Sequence, residues 1–159
     1  MLKVNQERVA LLTSTFLLNI NTVTENGLHI IIAEDNQDDA RIISESFKKH
    51  KAFSLISTVR NGEELIVFLH NNKTKLPNII LTDISMPLIN GLEALDEIFK
   101  DAELRKIPAF VYSSTLDHAY DKKGKELGVI GYLIKPLILS AFDEIPYQLI
   151  HALKQRRII

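Results

Sequence analysis

Short apolar runs recur five times along the chain, and segments with the periodicity of an amphipathic helix separate them. The apolar runs predict strands at residues 28–33, 54–59, 78–82, 108–112 and 129–133. The segments between them predict helices at residues 38–50, 63–71, 92–99 and 117–127. Strands that alternate with helices are typical of an α/β domain, in which right-handed crossovers build a parallel sheet covered on both faces.

Two of the apolar runs, Ile30-Ile31-Ile32 and Ile79-Ile80-Leu81, show no alternation of apolar and polar residues. Strands of this kind are buried on both faces, as in the centre of a parallel sheet. Ligands of such sheets bind beyond the carboxyl ends of the strands. The residues that follow each run are therefore the candidates for a functional site.

The C-terminal segment predicts a last helix. With Asp143 as its N-cap, Pro146 falls in the first turn, where the missing N–H of proline costs little. The basic residues 154–157 are interpreted as cations that complement the C-terminus of this helix. The Ile158-Ile159 pair is expected to be exposed and to support a homodimer.

The first 27 residues differ from the rest. Val9, Leu12, Phe16 and Ile20 share one helical face, which predicts an extra amphipathic helix followed by a polar linker. The apolar run is too short to span a bilayer, and the polar residues within it argue against a signal peptide. We therefore expect an N-terminal extension at residues 1–27 and one domain at residues 28–159.

Composition narrows the class of protein. The 159 residues include 19 basic and 20 acidic side chains, for a formal net charge of -1. This balance removes the electrostatic argument for a nucleic-acid partner. The absence of cysteine excludes disulfides, thiolate metal sites and cysteine nucleophiles.

Charged residues follow three of the predicted strands. Asp83 ends the third run, the pair Glu34-Asp35 follows the first, and Lys135 follows the fifth. A carboxylate that a buried strand delivers to a turn is fixed in place and open on one side, as a nucleophile requires. The simplest interpretation is an aspartate that accepts a phosphoryl group.

Carboxylates brought together at one edge need a counter-charge. Two unit charges about 4 Å apart at an effective dielectric of about 20 repel by about 4 kcal/mol. Magnesium, a hard cation that takes oxygen ligands, is the best candidate to neutralise them. Alternatives remain for each residue alone: Glu34-Asp35 as a helix-entry pair, Lys135 as a solvated loop lysine, and Ser113 as a turn serine.

The motifs together resemble a known family. The order is Glu34-Asp35, then Asp83-x-x-Met86-Pro87 with Gly91, then Ser113, then Tyr132-x-x-Lys135-Pro136. It resembles the receiver domain of two-component response regulators, from about residue 28 to the C-terminus. The resemblance implies a flavodoxin-like, doubly wound five-stranded parallel sheet of order 2-1-3-4-5.

The resemblance also implies a role for each residue. Asp83 would be the phosphoacceptor, and magnesium would bind Glu34, Asp35, Asp83 and the backbone carbonyl of Ser85. Ser113 would follow the phosphoryl group with the Ser114 backbone N–H nearby, Lys135 would be the counter-charge, and Tyr132 would be the aromatic switch. The family further implies a cis peptide bond before Pro136. Ser85 and Thr115, small and polar, predict a modest phosphoryl lifetime.

The function expected from this resemblance is a stand-alone, chemotaxis-regulator-like receiver in a cytoplasmic two-component phosphorelay. A histidine kinase or phosphotransfer protein would donate the phosphoryl group, and a downstream protein would be the target. Such a domain phosphorylates and dephosphorylates itself and is not a turnover enzyme. Three alternatives remain: a small-molecule phosphatase that forms an aspartyl-phosphate, a flavodoxin-like electron carrier, and a pseudo-receiver scaffold that works without phosphate.

Overall fold

The computed structural model describes residues 27–159, so the helix and linker predicted for the N-terminal extension lie outside the described residues. Five strands are present: β1 (Leu28–Ala33), β2 (Phe53–Val59), β3 (Ile79–Asp83), β4 (Ala109–Ser113) and β5 (Gly131–Ile134). Five α-helices are present in the same part of the chain: α1 (Gln37–Lys49), α2 (Gly62–Asn71), α3 (Gly91–Ile98), α4 (His118–Leu127) and α5 (Ile145–Gln155). Short 3-10 helices at Leu104–Lys106 and Leu139–Glu144 precede β4 and α5.

The strands form one parallel sheet of order β2-β1-β3-β4-β5. The sheet order implied by the family resemblance is thus confirmed. The chain reverses its direction of winding between β1 and β3, which places the crevice of this sheet beyond the carboxyl ends of these two strands.

Helices cover both faces of the sheet. One apolar cluster joins α1 and α5 to Ile30, Ile32 and Leu81, while the other joins α2 and α3 to Ile31 and Ile80. Successive residues of a strand point to opposite faces, so each central strand supplies both clusters. This explains why the runs Ile30-Ile31-Ile32 and Ile79-Ile80-Leu81 are apolar at consecutive positions rather than at every second one.

Polar residues begin four of the helices. Asn36, Asn61, Asn90 and Asp117 each accept a hydrogen bond from a backbone N–H of the first turn of α1, α2, α3 and α4. Asn90 also completes a capping box with Glu93. These caps satisfy N–H groups that have no partner within the helix, and they start each helix just beyond the edge of the sheet.

The C-terminal helix differs from the prediction in its cap. Pro146 lies in the first turn, as predicted, but Glu144 is the N-cap residue and makes no side-chain capping bond. Asp143 lies in the preceding 3-10 helix, where its carboxylate accepts hydrogen bonds from Lys49 at 2.9 and 3.0 Å. The Asp143 carboxylate therefore pairs with Lys49 of α1 and does not cap α5.

The prediction of an exposed Ile158-Ile159 pair was wrong. The Ile158 side chain is 0% exposed and belongs to the cluster under α1 and α5, and Ile159 packs against that cluster. The Ile158 N–H donates to the Leu153 carbonyl at 2.9 Å, which turns the chain back after α5. These side chains contribute to the core and leave no apolar pair for a dimer at this point.

Within residues 27–159, no helix combines the length and the apolar character that crossing a bilayer requires.

Candidate functional site

Four side chains meet beyond the carboxyl ends of the strands, on the face covered by α1 and α5. Asp83 is the last residue of β3, Glu34 follows β1, and Lys135 follows β5. Tyr112 of β4 is in register with Asp83, so the two side chains lie on the same face. Asp35 follows Glu34 and is exposed. We call Glu34, Asp35, Asp83 and Lys135 the acidic cup, and Tyr112 lies next to it.

Lys135 is the cation of the acidic cup. Its Nζ donates to Glu34 Oε2 at 2.6 Å, to Asp83 Oδ2 at 2.9 Å and to Asp39 Oδ2 at 3.3 Å. The Lys135 side chain is buried, with 8% of its surface exposed. Burial lowers the pKa of Lys135, but the hydrogen bonds and charges of Asp83 and Glu34 more than offset this and raise it overall. Lys135 is thus a fixed counter-charge rather than a solvated loop lysine.

Glu34 is the most buried acid of the cup, at 2% exposure. Its Oε1 accepts the Asn36 N–H at 3.1 Å, while its Oε2 accepts from Lys135 and from the hydroxyl of Tyr112. Burial raises the pKa of Glu34, and the three donors oppose this rise. Every donor to Glu34 stabilises its ionised form, so the residue is more than a helix-entry acid.

The acids of the cup form a set that can hold a metal ion. Glu34, Asp35 and Asp83 each offer one oxygen, and these atoms lie within 4.8 Å of one another. With Asp39, the cluster contains four carboxylates and a single ammonium, so in the ionised form it carries excess negative charge. Oxygen ligands from carboxylates, one of them exposed, fit a hard divalent cation such as Mg²⁺.

The turn after β3 holds the Asp83 carboxylate in place. The Ser85 N–H donates to Asp83 Oδ1 at 3.2 Å, and the Thr82 hydroxyl donates to the Asp83 carbonyl at 2.9 Å. Gly91, the first residue of α3, packs directly on Asp83: a Cβ there would lie 2.0 Å from the Asp83 carbonyl oxygen. Only glycine allows the helix to begin this close to the strand end.

Ser113 and Tyr132 lie on the opposite face of the sheet from the acids. Ser113 is the last residue of β4 and is buried. Tyr132 is in register with Val111, is half-buried, and donates its hydroxyl to the Thr115 carbonyl at 3.0 Å. Ser114 and Thr115 are exposed at the start of the β4–α4 loop. Ser113 thus shares a face of the sheet with the predicted aromatic switch, Tyr132, and not with the acids.

Two site residues escaped prediction from the sequence. Asp39, on the first turn of α1, contacts Lys135 only because the helix begins beside the cup. Tyr112 ends the strand predicted at residues 108–112, where an aromatic residue is typical of a strand core. In the sequence, Asp39 is one of two acids in the first turn of a helix, where acids are common, so it gave no separate signal.

The expected cis peptide bond before Pro136 was wrong. Among the described residues no peptide bond is cis.

Comparison with known proteins identifies the family. The family model described as the response regulator receiver domain matches residues 30–145, which include every residue of the acidic cup. The chain is 33% identical over 124 residues to an uncharacterized response regulatory protein of Staphylococcus epidermidis. This alignment covers 75% of the chain but 47% of that relative, so the chain spans about half of the relative's length.

Solved structures give the same result. The fold is similar to the phosphorylated cyanobacterial phytochrome response regulator RcpA, with 29% identity and a TM-score of 0.71 over 77% of this chain and 91% of that one. It is also similar to the Mn²⁺-bound response regulator Rcp1, with 25% identity and a TM-score of 0.66 over 80% and 92%. The sheet order, the residues of the acidic cup and the family match agree, and the chain belongs to the response regulator receiver domain family.

Proposed function

We propose that this receiver accepts a phosphoryl group on Asp83 from a histidine kinase or a phosphotransfer protein. One observation carries the proposal: Lys135 Nζ lies 2.9 Å from Asp83 Oδ2 while Asp83 also belongs to the three-carboxylate cluster. A carboxylate with a fixed cation on one side and a metal-binding set on the other is prepared for an anionic group. The phosphorylated form of the similar regulator RcpA supports this interpretation.

The metal of this proposal is Mg²⁺, held by Glu34, Asp35, Asp83 and the backbone carbonyl of Ser85. When bound, the ion neutralises phosphoryl oxygens during the transfer. The Mn²⁺-bound form of the similar regulator Rcp1 supports the binding of a divalent ion. Asp35 is exposed and Glu34 buried, so the site is open to solvent on one side only.

The residues of this chain position and neutralise the transferred group. An oxygen of Asp83 forms the new O–P bond while the P–N bond of the donor phosphohistidine breaks, and the imidazole keeps the electron pair and takes up a proton. Lys135 offers its ammonium to the charge that arrives on Asp83, and Ser113 and the Ser114 N–H donate to phosphoryl oxygens. Positioning and charge stabilisation account for most catalysis of phosphoryl transfer, so no further nucleophile is required.

The proposed output is a change on the face formed by α4, β5 and α5. When Ser113 moves toward the phosphoryl group, it leaves space beside β4, and the Tyr132 ring turns inward. The hydroxyl of Tyr132 then releases the Thr115 carbonyl, to which it now donates. A downstream protein would read this surface in the cytoplasm.

The site also explains why we favour a signalling role over the alternatives. A small-molecule phosphatase with an aspartyl-phosphate would turn over many equivalents of p-nitrophenyl phosphate, whereas a receiver that loses its phosphoryl group slowly would release little product. A phosphate-independent scaffold would not need Lys135, Glu34 and Asp83 in one buried contact. An electron carrier would not place acids where a flavin phosphate binds.

The test is incubation with acetyl phosphate and Mg²⁺, followed by measurement of the intact mass. The native chain should gain the mass of one phosphoryl group, and Asp83→Asn should gain none. The matched control is Asp96→Asn, which removes an exposed aspartate of α3 and should leave phosphorylation unchanged. The same gain of mass in Asp83→Asn, or no gain in the native chain, would refute the proposed function.

A further inference from the structure

Tyr112 lies beneath the acidic cup and contacts two of its residues, Glu34 and Lys135. It is among the largest fully buried side chains of the described residues. Its hydroxyl donates to Glu34 Oε2, and Lys135 Nζ lies 4.8 Å from the centre of its ring. It is also in register with Asp83 on the neighbouring strand. A tyrosine that served only as core filler would not need its hydroxyl at the end of a metal-binding carboxylate.

Tyr112 and Lys135 share one oxygen atom. Both donate to Glu34 Oε2, while Lys135 also donates to Asp83 and to Asp39. Lys135 is thus divided among three carboxylates, but the hydroxyl of Tyr112 has Glu34 as its acceptor. If the Lys135 ammonium turned toward an anion on Asp83, Glu34 Oε2 would keep one of its two donors.

That remaining donor matters because Glu34 is almost fully buried. A buried carboxylate that loses its hydrogen bonds pays the full cost of its missing solvation. A second lysine at position 112 would satisfy Glu34, but its charge would also compete with the metal for the acids. The phenol hydroxyl supplies a hydrogen bond without adding a charge, and the ring gives a favourable surface to the neighbouring ammonium.

We propose that Tyr112 is a positioning residue that holds the Glu34 carboxylate for the divalent cation and lets Lys135 leave Glu34 for the phosphoryl group. This inference rests on the proposed function, because it assigns the same cup to Mg²⁺ and phosphate. Tyr112 acts through Glu34 and does not touch the reacting atoms. Residues that hydrogen-bond to a metal ligand and orient it typically contribute about 10- to 100-fold to metal affinity.

The first test is a calorimetric titration with Mg²⁺ alone, without a phosphoryl donor. Tyr112→Phe removes only the hydroxyl and should weaken Mg²⁺ binding about tenfold. The matched control is Tyr147→Phe, since Tyr147 is exposed on α5 and its hydroxyl makes no contact with the cup. Native affinity in Tyr112→Phe would overturn the inference but leave the proposed function standing. No Mg²⁺ binding by the native chain would overturn both.

The second test separates positioning from a merely structural role. In phosphorylation by acetyl phosphate, Tyr112→Phe should raise the half-saturating Mg²⁺ concentration about tenfold while the rate at saturating Mg²⁺ stays within about threefold of native. In a Glu34→Ala background, the same substitution should change the residual Mg²⁺ affinity less than about twofold, because its partner is gone. An equal loss in both backgrounds, or a loss only of the saturated rate, would overturn the inference.

Discussion

The single ammonium of Lys135 contacts three carboxylates in a largely buried site. It donates to Glu34, Asp83 and Asp39 at 2.6, 2.9 and 3.3 Å. Breaking a buried pair by removing one partner leaves an uncompensated charge, which costs more than the pair contributed. Lys135 should therefore matter for stability even before any phosphoryl group arrives.

We predict that Lys135→Ala lowers the free energy of unfolding by about 3 kcal/mol at neutral pH, since it leaves buried acids without a cation. Urea denaturation in a buffer that contains EDTA measures the effect. Lys100→Ala is the control, because the Lys100–Glu97 pair is exposed and its loss should have no measurable effect. Equal stability of Lys135→Ala and the native chain would contradict the assigned counter-charge.

His29 lies near the start of β1, at the end of the strand opposite to the acidic cup, and its titration predicts how stability depends on pH. Burial, and then the charge of Lys75, lowers the pKa of His29 below its usual 6.5, and its Nε2 lies 2.9 Å from Ser57 Oγ. The unfolded chain therefore binds this proton more readily than the folded chain. The contribution of neutral His29 to stability is complete above about pH 6.5 and is lost as the pH falls below that value.

The measurement is urea denaturation of native protein and His29→Gln between pH 7.5 and 5.5. The native chain should lose more stability over this interval than His29→Gln does. His70→Gln, which replaces an exposed histidine of α2, should follow the native curve. Parallel curves for the native chain and His29→Gln would show that protonation of His29 is not linked to folding.

The sequence predicted that charged residues at the strand ends would lie together, but it did not indicate Asp39 or Tyr112. Asp83, Asp35 and Lys135 were found because charges at the ends of apolar runs are unusual and must meet at one edge of a parallel sheet. Tyr112 was missed because an aromatic residue within an apolar run is typical of a strand core. Only the three-dimensional structure shows that the Tyr112 hydroxyl donates to Glu34.

At the scale of elements, the turn from β3 into α3 determines where Asp83 lies. The helix begins at Gly91, whose Cα faces the Asp83 carbonyl, and the Gly91 N–H donates to the Ile84 carbonyl at 3.1 Å. The nearest atom, the Asp83 carbonyl oxygen, belongs to the backbone and cannot move without displacing the strand end. A side chain at this position would therefore separate α3 from β3.

We predict that Gly91→Ala lowers the free energy of unfolding by about 3 kcal/mol, because its Cβ would lie 2.0 Å from the Asp83 oxygen. Gly124→Ala is the matched control. A Cβ at Gly124 of α4 meets only ordinary contacts at 3.7 Å, so alanine should stabilise the helix by up to about 1 kcal/mol. Thermal and urea unfolding of both variants would test this, and similar shifts in the same direction would contradict it.

Boundaries of elements were predicted to within about two residues, and the errors have local causes. The strand predicted at residues 129–133 begins later, at Gly131, because the Val129 N–H still donates to the Gly124 carbonyl and closes α4. The cap predicted at Asp143 failed because the carboxylate pairs with Lys49, which is distant in sequence. Ile158 was assigned to a solvated tail because a two-residue apolar end carries no periodicity that predicts burial.

At the scale of the whole molecule, the sheet separates the acids from the side chains of Ser113 and Tyr132. Tyr112 points to the face of α1 and α5, while its neighbour Ser113 points to the face of α2, α3 and α4. The last two residues of β4 thus face the acidic cup and the Tyr132 side, respectively. Fold and sheet order followed from the pattern of apolar runs and the resemblance, but this division of roles required the strand register.

The proposed function requires that Asp83, and no other acid of the cup, carries the phosphoryl group. Borohydride reduces an aspartyl-phosphate to homoserine, so treatment of the protein after reaction with acetyl phosphate and Mg²⁺ marks the modified residue. Peptide sequencing by mass spectrometry should then find homoserine at position 83 and unchanged residues at positions 34, 35 and 39. Conversion at any of those acids in place of Asp83, or no conversion at all, would contradict the proposed role of Asp83.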